Sequence, residues 1–137
     1  ALTGTLSDAV IWLSIPPGIL TALLLLLNEF PDAEADRAGG RRHMVIVLGR
    51  RGAAVAYTAG LAACYGVLVG GVVAGLLPAS VLLALLTLPL AVRAAVAALK
   101  HGDDAERLTP ALGANVLTVL GTDLLMAVGC LINWPAA

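Results

Sequence analysis

Four apolar stretches leave this 137-residue chain few ways to fold. They run from about Ala9 to Leu27, Ala53 to Leu77, Ser80 to Leu99 and Pro110 to Trp134. Each is about 20 residues or more, the length of helix that crosses the ~30 Å hydrocarbon layer of a bilayer. A strand reading fails, because the runs are too long and do not alternate. Composition agrees: 60% of residues are hydrophobic, 12% are charged, and the mean hydropathy is +0.97. A soluble domain carries about 25% charged residues. The expected fold class is all-α: a multi-pass transmembrane helical bundle, one membrane domain over residues 1–137 with spans at about 9–27, 53–77, 80–99 and 110–134. A disordered chain, a nucleic-acid binder and an ordinary cytosolic enzyme are excluded, so the bilayer is a partner and nucleic acid is not.

Prolines punctuate the spans. Pro16 and Pro17 in the first and Pro89 in the third are expected to kink their helices, since each removes a backbone donor. Pro78 and Pro110 are read at helix starts, where proline is tolerated. Gly66, Gly70, Gly71 and Gly75 give two small-xxx-small spacings that would allow close helix approach, or simply reflect the frequency of glycine in membrane helices. Cys64 and Cys130 read as buried small hydrophobes, and no Cys or His spacing suits zinc. The chain begins with Ala1, and no basic segment precedes the first span, so a signal peptide is not expected. The expectation is an interior or C-terminal piece of a longer protein.

Charge is segregated. The connection from Asn28 to Gly52 and the one from Lys100 to Thr109 together hold seven of the eight Lys and Arg residues, Arg93 being the other. The positive-inside rule puts both connections in the cytoplasm. Leu77, Pro78 and Ala79 then connect two spans on the outer side.

The first connection reads NEFPDAEADRAGGRRHMVIVLGRRGAA. Asn28, Asp32 and Asp36 are spaced i, i+4, i+8, and on a helix continuing from the first span they share a face. Pro31 makes strict continuity an open question. Gly39 and Gly40 suit a helix end. Two carboxylates one turn apart at a membrane face suit Mg²⁺, which takes one or two carboxylates plus phosphate oxygens. Arg41 and Arg42 suit the same phosphates through forked donors. The alternative is a solvated loop laced with Asp–Arg pairs at i, i+4 or i, i+5. Spacing leaves both open, because D-x-x-x-D alone is a weak pattern.

The run Asn28-Glu29-x-x-Asp32-x-x-x-Asp36-Arg37-x-x-Gly40-Arg41-Arg42 resembles an aspartate-rich motif of the UbiA superfamily of intramembrane prenyltransferases. The wider stretch NEFPDAEADRAGGRRHMVIVLGRRGA is most similar to the branch that includes 1,4-dihydroxy-2-naphthoate prenyltransferases. LTPALGANVLTVLGTDLLMAVGCLI is similar in style to the last helix of that family. The resemblance implies about nine helices with an Asp-rich motif on each half, this one being the second. The four spans would be the last four, and the first motif would lie on an N-terminal half, since Asp8 is the only acid before Asn28.

The resemblance further implies prenyl transfer from a polyprenyl diphosphate to an aromatic acceptor, a dihydroxynaphthoate in a menaquinone-type pathway, in a prokaryotic plasma membrane. Asp32 and Asp36 would be the catalytic metal ligands for Mg²⁺, with Asn28 and Glu29 assisting. Arg41, Arg42 and Arg37 would contact diphosphate. A 4-hydroxybenzoate, homogentisate or glycerol-phosphate lipid acceptor would use the same donor half. A CDP-alcohol phosphotransferase would need a D-G-x-x-A-R run that is absent, and a transporter segment would show more polar breaks near the midplane.

Other polar residues have weaker readings. Asn115 faces a neighbouring helix or an acceptor pocket, and Tyr57 joins it as an acceptor-pocket candidate. Tyr57 and Tyr65 are eight residues apart and can share a face. Asp123 lies deep in the fourth span and reads as packing or polar-network, with a catalytic role or snorkelling to the outer face as alternatives, and Arg93 reads as snorkelling to headgroups or, alternatively, contacting diphosphate. Asp103, Asp104 and Glu106 read as a solvated connection, or a lid. His43 is expected at the surface, with a general-base role as the alternative.

Overall fold

The computed structural model describes residues 7–132. Among them every regular element is helical, with four helical segments long and apolar enough to span a membrane. These are α1 (Asp8–Ala38), α2 (Met44–Val73), a 3-10 segment (Ala79–Thr87) continuous with α3 (Leu88–His101), and α4 (Ala105–Ile132). Residues 133 and 134, which the sequence puts at the end of the fourth span, lie outside the described residues.

α1 packs along α2, while α4 packs on the 3-10 segment and α3 and also reaches α1. Leu20, Leu27, Phe30, Leu68 and Leu108 are fully buried between them. The outward faces stay apolar: Val73, Leu131, Leu124 and Leu25 are all well exposed. Such a surface would be an aggregation liability in water and is the expected face towards lipid.

α1 has 31 residues, about 46 Å at 1.5 Å per residue. It therefore outruns the ~30 Å hydrocarbon layer by about ten residues. The excess is the polar run from Asn28 to Ala38. Pro31 sits inside α1 without ending it, which answers the continuity question. Glycine then stops the helix. Gly40 adopts φ +75°, its N–H donates to the Arg37 carbonyl (3.2 Å), and the Arg41 N–H donates to the Asp36 carbonyl (2.9 Å). That is a Schellman end, with glycine where a side chain would be strained.

Several boundaries differ from the sequence expectation. α2 begins at Met44 rather than near residue 53, because a short helix before Gly49 joins the membrane helix across a kink at that residue (φ 72°, ψ 161°). Pro110 lies inside α4, one turn past its start. Asp104 makes that earlier start possible: its Oδ1 accepts the Arg107 N–H at 3.1 Å, a cap for the first turn. Pro89 does not kink a continuous α-helix. The third span is 3-10 up to Thr87, and Pro89 occupies the first turn of α3, where no donor is needed. Of the four glycines in those spacings, Gly71 is the buried one, facing Leu77 and Trp12. Gly75 (φ +71°) instead ends α2, and Gly66 meets open space.

Candidate functional site

The two polar connections meet at one end of the bundle, and Arg50 joins them. Its Nη1 donates to the carbonyl of Phe30 on α1 (2.9 Å) and to that of Gly102 after α3 (2.7 Å). Gly102 caps the C-terminus of α3, where carbonyls lack intrahelical partners and attract cations, whereas Phe30 lies within α1. Glu34 and Asp103 flank the guanidinium at 3.8 and 3.6 Å. Phe30 fills the remaining space, because a Cβ on Gly102 would meet its ring at 3.1 Å. Sequence reading counted Arg50 only as loop charge. The signal available was its position directly after Gly49, at the membrane border.

The projecting end of α1 carries Asn28, Glu29, Asp32 and Asp36. Asn28 and Asp32 are exposed, whereas Glu29 and Asp36 are partly buried. The Schellman end folds Arg41 back, so that its Nη1 donates to Asp36 Oδ1 at 3.1 Å. This is the i, i+5 pair of the solvated-loop alternative, made beside the carboxylates of the metal-site alternative. Arg37 and Arg42 are exposed and make no ion pair among the described residues.

His43 is not at the surface, contrary to expectation. Its side chain is 13% exposed, with Nδ1 at 3.0 Å from Glu29 Oε2 and Nε2 at 3.3 Å from Asp36 Oδ2. The reason is local: as the residue before α2, it is directed back onto α1 by the tight turn at Gly39 and Gly40. The separations are those of ion pairs, yet neither imidazole nitrogen nor Glu29 Oε2 has a well-aligned hydrogen bond among the described residues.

A groove of about 420 Å³ opens between α1 and α2, lined by Ala22, Leu23, Leu25, Leu26, Met44 and Ala56, with Glu29 at its polar end. A second, smaller hollow of about 190 Å³ lies between α2 and α3, with Thr58 and Tyr65 in an otherwise apolar lining. Tyr57 and Asn115 line neither. Both are fully buried, and Tyr57 Oη donates to Asn115 Oδ1 at 2.9 Å, joining α2 to α4. Deeper in the bundle, Thr87 Oγ1 bonds both Tyr65 Oη (2.8 Å) and Thr122 Oγ1 (2.7 Å), joining three segments. Asp123, next in sequence to Thr122, has Oδ1 buried and without a hydrogen bond among the described residues.

Asn28, Glu29, Asp32 and Asp36 present oxygen donors along one side of a helix end, and Glu29 adds a buried oxygen with no hydrogen bond. That donor chemistry fits a hard divalent cation sharing its shell with water and phosphate. No three His, Cys, Asp or Glu side chains among the described residues form an all-protein metal cage.

The model of the UbiA prenyltransferase family matches residues 1–112. The 1,4-dihydroxy-2-naphthoate octaprenyltransferase of Bacillus subtilis (strain 168) is 38% identical over 65 residues, which cover 47% of this chain and 21% of that protein. The aligned stretch thus spans about a fifth of that relative's length. No solved structure matches.

Proposed function

The chain belongs to the UbiA prenyltransferase family, and on that premise we propose that it takes part in transferring a polyprenyl group from its diphosphate to an aromatic acceptor of the 1,4-dihydroxy-2-naphthoate type. One observation carries the reading. The apolar groove between α1 and α2 ends at Glu29, in contact with the His43–Asp36–Arg41 cluster. A prenyl diphosphate has the same polarity, an apolar tail on a dianionic or trianionic head.

Asp32 and Asp36, with Asn28 and Glu29, are the residues to hold Mg²⁺. When bound, that ion neutralises diphosphate charge and stabilises it as a leaving group. Arg41, Arg42 and Arg37 offer forked donors to the diphosphate oxygens. Of these, Arg41 is bound to Asp36 here, and Arg37 and Arg42 are exposed. Breaking the allylic C–O bond leaves its electron pair on the diphosphate. An aromatic carbon of the acceptor then attacks the allylic carbon and loses its proton. Preorganised cations where charge develops supply most of the acceleration in such sites. The groove walls exclude water from the tail side.

On this reading an N-terminal half carries the other Asp-rich motif that the resemblance implies, and the complete reaction draws on both. The basic connections lie on the cytoplasmic side by the positive-inside rule, in a prokaryotic plasma membrane by analogy with the bacterial relative. The test is an acceptor panel on the intact protein in membranes, with Mg²⁺ and a labelled polyprenyl diphosphate. Prenylated dihydroxynaphthoate is the expected product. Prenylation of 4-hydroxybenzoate, homogentisate or a glycerol-phosphate lipid instead would change the acceptor, and no transfer to any of them would overturn the reading.

A further inference from the structure

We propose that His43 is a positioning residue of this site, holding Glu29 and Asp36 in the paired arrangement that receives cation and diphosphate. The proposal rests on the prenyl-transfer reading. Glu29 and Asp36 are seven residues apart on α1, about 10 Å along the axis. Across that distance the two side chains need a group between them to be held as a pair. The imidazole stands between them, at 3.0 Å from one and 3.3 Å from the other.

Three features make this more than a surface contact. His43 is anchored on a different helix from the carboxylates: its carbonyl accepts the N–H groups of Ile46 (3.1 Å) and Val47 (3.0 Å) in the first turn of α2. Its ring is therefore placed by α2, and the carboxylates must come to it. Asp36 is held from both sides, Oδ1 by Arg41 and Oδ2 by His43. Glu29 is held at the groove mouth, where tail and head of a prenyl diphosphate would meet. The nitrogens and Glu29 Oε2 are buried and unaligned, as contacts are that tighten only when ligand arrives. Outer-shell partners of this kind orient the ligands a metal uses.

The experiment is Mn²⁺ titration of the intact protein followed by electron paramagnetic resonance, with Mn²⁺ alone as the probe. His43→Ala touches neither carboxylate, and His43→Gln reaches one. The expected order of affinity is wild type, Gln, Ala, with Ala weaker by about tenfold or more. In the prenyl-transfer assay the loss should appear in the metal concentration needed for half-maximal rate rather than in the rate at saturating metal. Wild-type affinity in a folded His43→Ala protein overturns the proposal. If that variant does not fold, wild-type affinity in His43→Gln does so. A wild-type protein that binds no Mn²⁺ overturns the underlying reading as well, which separates the two failures.

Discussion

Arg50 Nη1 donates to the carbonyl of Gly102 at 2.7 Å, across 52 positions of the chain, and the same nitrogen donates to Phe30 at 2.9 Å. One guanidinium thereby ties the Asp-rich end of α1 to the connection between α3 and α4. The exposed carboxylates beside it add little, because solvent-facing ion pairs are weak.

Replacing Arg50 by Met removes charged donors from two carbonyls. The expected loss of stability is about 2 kcal/mol, since hydrogen bonds to charged groups contribute about 1.5–3 kcal/mol each and water regains part of the site. Thermal unfolding in detergent measures it, and trypsin should cut faster at Lys100 and Arg107. An Arg50→Met protein that melts and resists trypsin like wild type would show that the tie is incidental.

The Tyr57–Asn115 bond makes a second prediction. Tyr57→Phe leaves Asn115 with no partner at all, since its Nδ2 already has none among the described residues. Interhelical hydrogen bonds in membranes average about 0.6 kcal/mol and reach about 1.7, so a loss of about 1 kcal/mol is expected in unfolding titrations with a denaturing detergent. Adding Asn115→Leu should recover much of it, because removing both polar groups is cheaper than stranding one. Simple additivity of the two losses would contradict the pairing.

These contacts show what could be read from residues alone. Span number and helix class follow from run length, because a bilayer demands internal hydrogen bonding over about 20 residues. The face shared by Asn28, Asp32 and Asp36 follows from helical period, and the stop after Ala38 follows from two glycines. The burial of His43 does not follow. It depends on the handedness of the turn at Gly40, which directs the next residues back onto α1. Arg50 was equally hidden, because its carbonyl partners come from residues 20 and 52 positions away. The 3-10 form of Ala79–Thr87 was missed because apolar composition sets the span but not the helix type. There the junction is marked by hydrogen bonds that join the Thr87 hydroxyl to Tyr65 on α2 and Thr122 on α4.

Close packing gives a third prediction. A Cβ on Gly129 would lie 2.8 Å from Val81 Cα and press on the backbone of Ser80. Backbone cannot swing aside, so Gly129→Ala should destabilise by about 1–3 kcal/mol, the range for overpacking. Gly113, on the same helix, meets nothing within 4 Å, and Gly113→Ala should be neutral or stabilise by about 0.5–1 kcal/mol. Parallel melting curves of the two variants check this, and equal effects would contradict the packing of α4 on the 3-10 segment.

The central claim is that the projecting end of α1 is where diphosphate leaves. The most direct measurement is the Mg²⁺-dependent rate of prenyl transfer by intact Asp32→Asn and Asp36→Asn proteins, beside Asp103→Asn as a control carboxylate at the same end of the bundle. Each α1 variant should lose at least about 100-fold, the upper end of what metal-site partners lose, and chelating Mg²⁺ should reduce wild type to the same level. The Asp103→Asn protein should keep its rate. Wild-type rates in both α1 variants, or transfer undiminished by chelation, would contradict the account.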